Sequence, residues 1–276
     1  MDFKKYEDIA SRIRIDIIKA VHKAGSGHPG GSLSAADILA YLYFKEMNIS
    51  VDNFNTKDHD HFIMSKGHSV EALYAVLAEK GFFPIERVLK EFSQFGSMFI
   101  GHPNNKLPGI EMNSGALGHG LPVAVGMAIA ERMNKSKNRV YVVMGDGELA
   151  EGSVWEGAMS GANYRLDNLC AIIDRNRLQI SGSTEDVMAL DDLHRKWDSF
   201  GWHVIDVDDG NDIEKLARAF EESRMVKGKP SVLIANTIKG KGSSVMENKA
   251  AWHHHVPSAE EYEQIKKDLA ARALED

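Results

Sequence analysis

The chain has 276 residues, 43% hydrophobic and 26% charged, which is enough apolar surface to close a core without disulfide staples and fits one large domain over 1–276. Its 33 basic and 40 acidic residues leave a net charge of −7, which excludes nucleic acid and anionic membranes as main partners but leaves room for a local basic pocket around a small anion. The single cysteine, Cys170, lies in the apolar run "LCAII" and reads as a buried, inert thiol. With no signal-peptide pattern and no apolar span of ~18 residues, the expected location is cytoplasmic.

Ile9, Ile13, Ile17 and Val21 recur at helical spacing and predict a first helix that stops at Gly25. A second amphipathic helix is expected from Ser34 to about Met47, with Ser34 as N-cap and Asp37 in the capping-box position. The short apolar runs "HFIMS", "RVYVVMG", "LCAIID", "WHVIDV" and "SVLIANT" read as strands, each separated from the next by room for a helix. Unbroken rather than alternating apolar runs imply burial on both faces. The fold class is therefore α/β, a doubly wound, mainly parallel sheet with helices on both faces. The longest loop is expected between Gly240 and Pro257, and a helical pattern runs from Ser258 towards the end.

In such sheets ligands sit beyond the carboxyl ends of the strands, so the loops carry the functional reading. Four loops concentrate histidine and glycine: "GSGHPGG" at 25–31, "SKGHS" at 65–69, "IGHPNN" at 100–105 and "NSGALGHG" at 113–120. A histidine held by a following proline and flanked by glycine presents its imidazole to a ligand, and several together suit a hydroxyl-rich, sugar-like substrate. His22, His59, His61, His194 and His203 read as structural. A zinc centre is not expected: His59 and His61 flank an aspartate at a strand start, the triplet at 253–255 cannot wrap one ion, and neither HExxH nor paired cysteines occur.

The strand "RVYVVM" runs into Gly145, Asp146 and Gly147, and "LCAIID" runs into Arg175 and Asn176. If these strands are neighbours, Asp146 and Asn176 stand side by side. A carboxylate oxygen, an amide oxygen and a nearby backbone carbonyl form an all-oxygen half-shell suited to Mg²⁺ or Ca²⁺. The glycines admit a diphosphate closely, and a helix starting near Gly152 or Ser153 can aim its N-terminus at the anion. No Walker loop is present, and "GALGHG" precedes a strand rather than following one, which argues against a dinucleotide site.

"GDGELAEGSVWEGAMSGANYRLDNLCAIIDRNRLQ" resembles the thiamine diphosphate motif, a GDG followed about thirty residues later by Asn. "SGHPGGSLSAADILAYLY", "HFIMSKGHSVEALYAVL", "GHPNNKLPGIEMNSGALGHGLPVAVGMA", "GWHVIDVDDGND" and "TIKGKGSSVMENKAAWHHH" resemble transketolases in that family's order. The resemblance implies thiamine diphosphate and a Mg²⁺ or Ca²⁺ ion, held by the side chains of Asp146 and Asn176 and the carbonyl of Leu178. It implies a cofactor-binding set of His68, Gly115, Leu117, Asp146, Gly147, Glu151, Asn176, Lys239 and His253, with Glu151 near the family's dimer interface. His28 and His102 match histidines that face the sugar and assist proton transfer. With His68 and His253 they form the implied catalytic set, and His255 is an alternative to His253 for closing the site.

Complete transketolases continue into a pyrimidine-binding domain and a C-terminal domain, whereas this sequence matches only the first. The cofactor's C2 loses its proton through its own aminopyrimidine, which a glutamate of the pyrimidine-binding domain tautomerises. The expectation is thus an N-terminal subunit of a split transketolase rather than a truncated chain. With a C-terminal partner subunit, in an α2β2 heterotetramer, it would move a two-carbon ketol unit between sugar phosphates in pentose phosphate metabolism. Subunits of other thiamine enzymes, of the 2-oxo acid dehydrogenase or deoxyxylulose phosphate synthase type, lack a reason to keep His28, His68 and His102 together. A non-catalytic cofactor-binding homologue is the alternative outside enzymology.

Overall fold

A computed structural model describes residues 2–275; Met1 and Asp276 lie outside the described residues. The first helix, α1 (Lys4–Ala24), buries Ile9, Ile13, Ile17 and Val21 and ends where expected. Gly25 adopts φ 65° and returns its N–H to the Val21 carbonyl, a left-handed cap that costs glycine nothing.

The single helix expected from Ser34 to Met47 is instead three short pieces, α2 (Pro29–Ser34), α3 (Ala36–Tyr41) and a π-helical turn (Leu42–Glu46). Pro29 takes the first helical position, where its missing N–H is no loss, so the helix starts five residues early. Ser34 therefore ends a helix rather than capping one. Its hydroxyl faces the Asp174 carboxylate at 2.6 Å. Asp37 is no capping residue either, because it meets the buried Arg14 guanidinium in a two-pronged ion pair and accepts from Asn211 Nδ2 at 2.7 Å.

All five expected strands form. They are β1 (His61–Met64), β2 (Val140–Gly145), β3 (Leu169–Arg175), β6 (His203–Val207) and β7 (Ser231–Asn236), with a two-residue antiparallel ribbon, β4 (Leu178–Gln179) and β5 (Gly182–Ser183), after β3. The main sheet is wholly parallel in the order β1-β2-β3-β7-β6. The connections supply α4 (Val70–Glu79), α5 (Ile85–Glu91), α6 (Gly120–Met133), α7 (Gly152–Asn163), α8 (Thr184–Val187), α9 (Leu193–Ser199) and α10 (Ile213–Met225), and α11 (Ala259–Glu275) closes the chain against α1.

Alternate residues of each strand enter opposite cores. Tyr141, Val143, Cys170, Ile172 and Leu233 pack with α1, α3, α4 and α10, whereas Val140, Val142, Met144, Ala171, Ile173 and Ile234 pack with α6, α7 and α9. The sheet is doubly wound, and each fully buried Val or Ile side chain stabilises it by about 1.5–3 kcal/mol. Cys170 is buried, and that burial pushes its thiol up to about 12, as an inert core residue requires. No helix among the described residues is long and apolar enough to cross a membrane.

Candidate active site

Gly145 pairs in register with Asp174 at the carboxyl ends of β2 and β3, and the chains then turn into Asp146 and Asn176. The Asp146 side chain is only 2% exposed. Its Oδ1 accepts the Gly147 N–H at 2.8 Å, and its Oδ2 accepts the Arg177 N–H at 2.5 Å and Arg175 Nη1 at 3.1 Å. Burial and the neighbouring Asp174 charge raise its pKa above the usual carboxylate value, against the pull of those donors. The Asn176 amide oxygen accepts the Leu178 N–H at 3.1 Å, and the Leu178 carbonyl accepts from Lys239 Nζ at 3.1 Å.

These residues line a cavity of about 180 Å³, together with Lys66, His68, Leu117, Gly147, Glu148, Gln179 and His253. Beneath it, Lys66 is 1% exposed and pairs with the fully buried Asp174, while also donating to the Gly31 carbonyl at 2.7 Å. The hydroxyls of Ser34 and Thr237 complete the shell of Asp174. Burial alone would raise the Asp174 pKa, but the Lys66 ammonium and these hydrogen bonds hold it below the usual range. Lys239, 2% exposed, is lowered to about 8 by burial and by the Lys66 charge.

Two ammonium groups therefore face one cavity whose wall carries an all-oxygen donor set. A cation already rests on the Leu178 carbonyl, in the form of Lys239 Nζ. The donor chemistry of Asp146, Asn176 and Leu178 fits an oxygen-preferring divalent ion, and Lys66 and Lys239 fit an anion beside it.

Three of the four expected catalytic histidines converge at the mouth. The His28 ring lies 5.3 Å from that of His68 and 5.8 Å from that of His253, and His68 stacks on His253 at 5.1 Å. Burial first, and then neighbouring positive groups, lower His28 to about 4, His68 to about 2 and His253 to about 3. All three imidazoles are neutral at pH 7, so each offers one donor and one acceptor. His102 is exposed and packs on Gly115, whose φ of 152° and a built Cβ only 2.9 Å from His102 Cδ2 leave room for glycine alone.

His254, rather than His255, joins this group, 4.5 Å from His28. The His255 ring turns away onto Trp252 at 4.5 Å and faces Glu261 at 3.6 Å. Gly30 seats the segment, since a Cβ there would lie 2.5 Å from the Trp252 carbonyl oxygen. Glu151 is exposed beside Gly118, and neither it nor Gly115 lines the cavity.

Besides His254, Lys66 and Glu148 are residues that sequence reasoning missed. Both stand next to recognisable motifs, in "SKGHS" and directly after Gly-Asp-Gly, so adjacency was the available signal. The buried Glu148 carboxylate gathers Ser65 Oγ, Gly118 N at 2.8 Å and Gly145 N at 3.1 Å, tying the loop before α6 to the loop after β2.

Residues 5–274 match the family "Transketolase, thiamine diphosphate binding domain". The chain belongs to the transketolase family. It is 48% identical over 272 residues to a subunit of the apulose-4-phosphate transketolase of Phocaeicola vulgatus, covering 99% of this chain and 96% of that one. It is 44% identical over 246 residues to a 6-deoxy-6-sulfo-D-fructose transketolase subunit of a Clostridium species, covering 89% of each. Among solved structures, transketolase from Leishmania mexicana superposes with a TM-score of 0.89 and 33% identity, over 96% of this chain and 41% of that chain. The chain thus spans about two fifths of the length of such single-chain transketolases.

Proposed function

We propose that this chain, a single diphosphate-binding domain, is the N-terminal subunit of a two-chain transketolase and transfers a two-carbon ketol unit from a ketose phosphate to an aldose phosphate with a C-terminal partner. The observation that carries this reading is the match to nearly the full length of a relative that is itself named as one transketolase subunit, against only 41% of a single-chain transketolase. The cavity supports it as well. About 180 Å³ is smaller than the ~300–1,000 Å³ that enclose a whole small ligand, which fits a site that a second chain completes.

Bound there, thiamine diphosphate would supply the nucleophilic carbon for ketol transfer. Asp146, Asn176 and the Leu178 carbonyl would hold Mg²⁺ or Ca²⁺, and Lys66, Lys239 and the Gly147 backbone would hold the diphosphate. His28, His102 and His253 would take and return protons at the sugar hydroxyls, with His68 against both His28 and His253. Neutral imidazoles suit that task, because each can receive a proton from one oxygen and return it to another. Leu117 would touch the cofactor from the cavity wall, with Gly115 and Glu151 in the loops beside it. An α2β2 assembly and a cytoplasmic location complete the reading, the latter supported by the lone, buried Cys170.

The deciding experiment mixes the purified chain with a candidate chain carrying the pyrimidine-binding domain and measures transfer from xylulose 5-phosphate to ribose 5-phosphate, with and without thiamine diphosphate and Mg²⁺. Transfer is expected only when both chains, the cofactor and the metal are present. Turnover by this chain alone would overturn the two-chain reading.

A further inference from the structure

At the opposite end of the sheet from the cofactor cavity, His59 and His61 meet Glu111, a residue fifty positions downstream of His61. His61 opens β1, and Glu111 belongs to the segment that runs beside that strand before α6. One ligand atom from each of the three lies within 4.8 Å of the others. In sequence the two histidines only flank Asp60, and the third group becomes visible once the chain is folded.

The hydrogen bonds around the cluster orient it as a ligand set. His59 is 7% exposed, and its Nδ1 lies 3.0 Å from the Thr56 carbonyl, which can only accept. That nitrogen therefore carries a proton, and the ring turns its Nε2 towards Glu111 Oε1, 3.8 Å away. His61 is held likewise: its Nε2 lies 3.2 Å from Glu131 Oε1, so that nitrogen carries a proton and Nδ1 faces Glu111 Oε2. Asn138 Nδ2 in turn donates to Glu131 Oε2 at 2.9 Å. A carboxylate or carbonyl on the far nitrogen of each histidine is the support that metal-bound imidazoles receive.

A lone-pair nitrogen cannot stand against a carboxylate oxygen without a cation between them. Between His61 Nδ1 and Glu111 Oε2 a proton is one such cation. A metal ion serves the same place with more partners. Tetrahedral ligation at about 2.0–2.1 Å puts ligand atoms roughly 3.3 Å apart, inside the span these three atoms already occupy.

We propose that His59, His61 and Glu111 bind one divalent transition-metal ion of the zinc type, with water as its fourth ligand and Glu131 as the residue that positions His61. Two imidazoles and one carboxylate select zinc-like ions over Mg²⁺ and Ca²⁺, which prefer all-oxygen shells such as that around Asp146. Binding displaces the proton shared by His61 and Glu111 to solvent. The role is structural. Glu111 Oε1 accepts the Phe62 N–H at 3.2 Å at the start of β1, and Ser114 Oγ donates to the Met64 carbonyl at 2.7 Å at its end. An ion at Glu111 would therefore fasten the segment that delivers Leu117 to the cofactor cavity.

The test uses the full chain, stripped with chelator and then given Zn²⁺ or Co²⁺ in excess Mg²⁺. One tightly held zinc per chain is expected, together with the intense visible absorption of four-coordinate Co²⁺. Both should vanish in His59→Ala and Glu111→Gln, persist in Asp146→Ala and His254→Ala, and weaken about 10–100-fold in Glu131→Gln. Zinc lost with His254→Ala but kept in His59→Ala would overturn the proposal, as would wild-type binding no tighter than that of the His59→Ala chain. If those variants do not fold, X-ray absorption of the zinc-loaded wild type decides, with two imidazoles and oxygen expected and any other ligand set overturning it.

Discussion

Gly145 and Asp174 face each other in register across β2 and β3, and this pairing sets Asp146 and Asn176 on one rim. Asp146 offers the carboxylate of the oxygen donor set that lines the cavity. Asp146→Ala should weaken Mg²⁺-dependent thiamine diphosphate binding at least about 100-fold, roughly 2.8 kcal/mol. Calorimetric titration of the purified chain checks this, and unchanged affinity would remove Asp146 from the site.

That rim was legible in the sequence because the physics is local. Continuous apolar runs mark β2 and β3, and a loop directly after each strand end is forced to the same side of a parallel sheet. The partners beneath it were not legible. Lys66 meets Asp174 across 108 positions of chain, and nothing near either residue signals the other. The helix after His28 was misread for the opposite reason: a capping pattern at Ser34 and Asp37 is a local signal, but burial recruited both side chains for distant partners, Asp174 and Arg14. His255 and His253 could not be separated by sequence, since only the turn at Ala250–His253 aims one ring inward.

The histidine cluster makes the fold acid-sensitive. An unfolded histidine titrates near 6.5, whereas His28, His68 and His253 titrate at about 4, 2 and 3 in the folded chain. Between pH 6.5 and about 4 the unfolded chain binds more protons, so this contribution to stability is complete above 6.5 and is lost as the pH falls. His68→Gln should therefore show a smaller drop in urea midpoint from pH 7 to pH 5 than the wild type. Equal drops would show that His68 is not held neutral by the fold.

Lys239 sets a limit at the other end of the scale. Its ammonium titrates at about 8 in the free chain, and only the charged form attracts a diphosphate. Affinity for thiamine diphosphate should be level below pH 7 and then fall, approaching tenfold per pH unit above about 8. Lys239→Arg should flatten this fall, because a guanidinium stays charged throughout. Titrations at pH 7, 8 and 9 measure the slope, and a wild-type affinity constant to pH 9 would exclude Lys239 as the titrating cation.

Glu148 is the joint between two loops, and its removal separates stability from ligand chemistry. Its carboxylate is 2% exposed and accepts the N–H groups of Gly118 and Gly145 along with Ser65 Oγ. Glu148→Ala strands the buried Gly118 N–H, at about 1–3 kcal/mol, and leaves the half-buried Gly145 N–H to find water, so a loss of about 1–3 kcal/mol in unfolding free energy is expected. Glu148→Gln keeps one acceptor oxygen and the shape, and should lose less. Because Gly118 adjoins Leu117, which lines the cavity with Glu148 itself, cofactor affinity should fall in both variants even where they remain folded. Urea unfolding and cofactor titration on the same samples distinguish the two effects, and a Glu148→Ala chain with wild-type stability would show that the two loops are held together by other contacts.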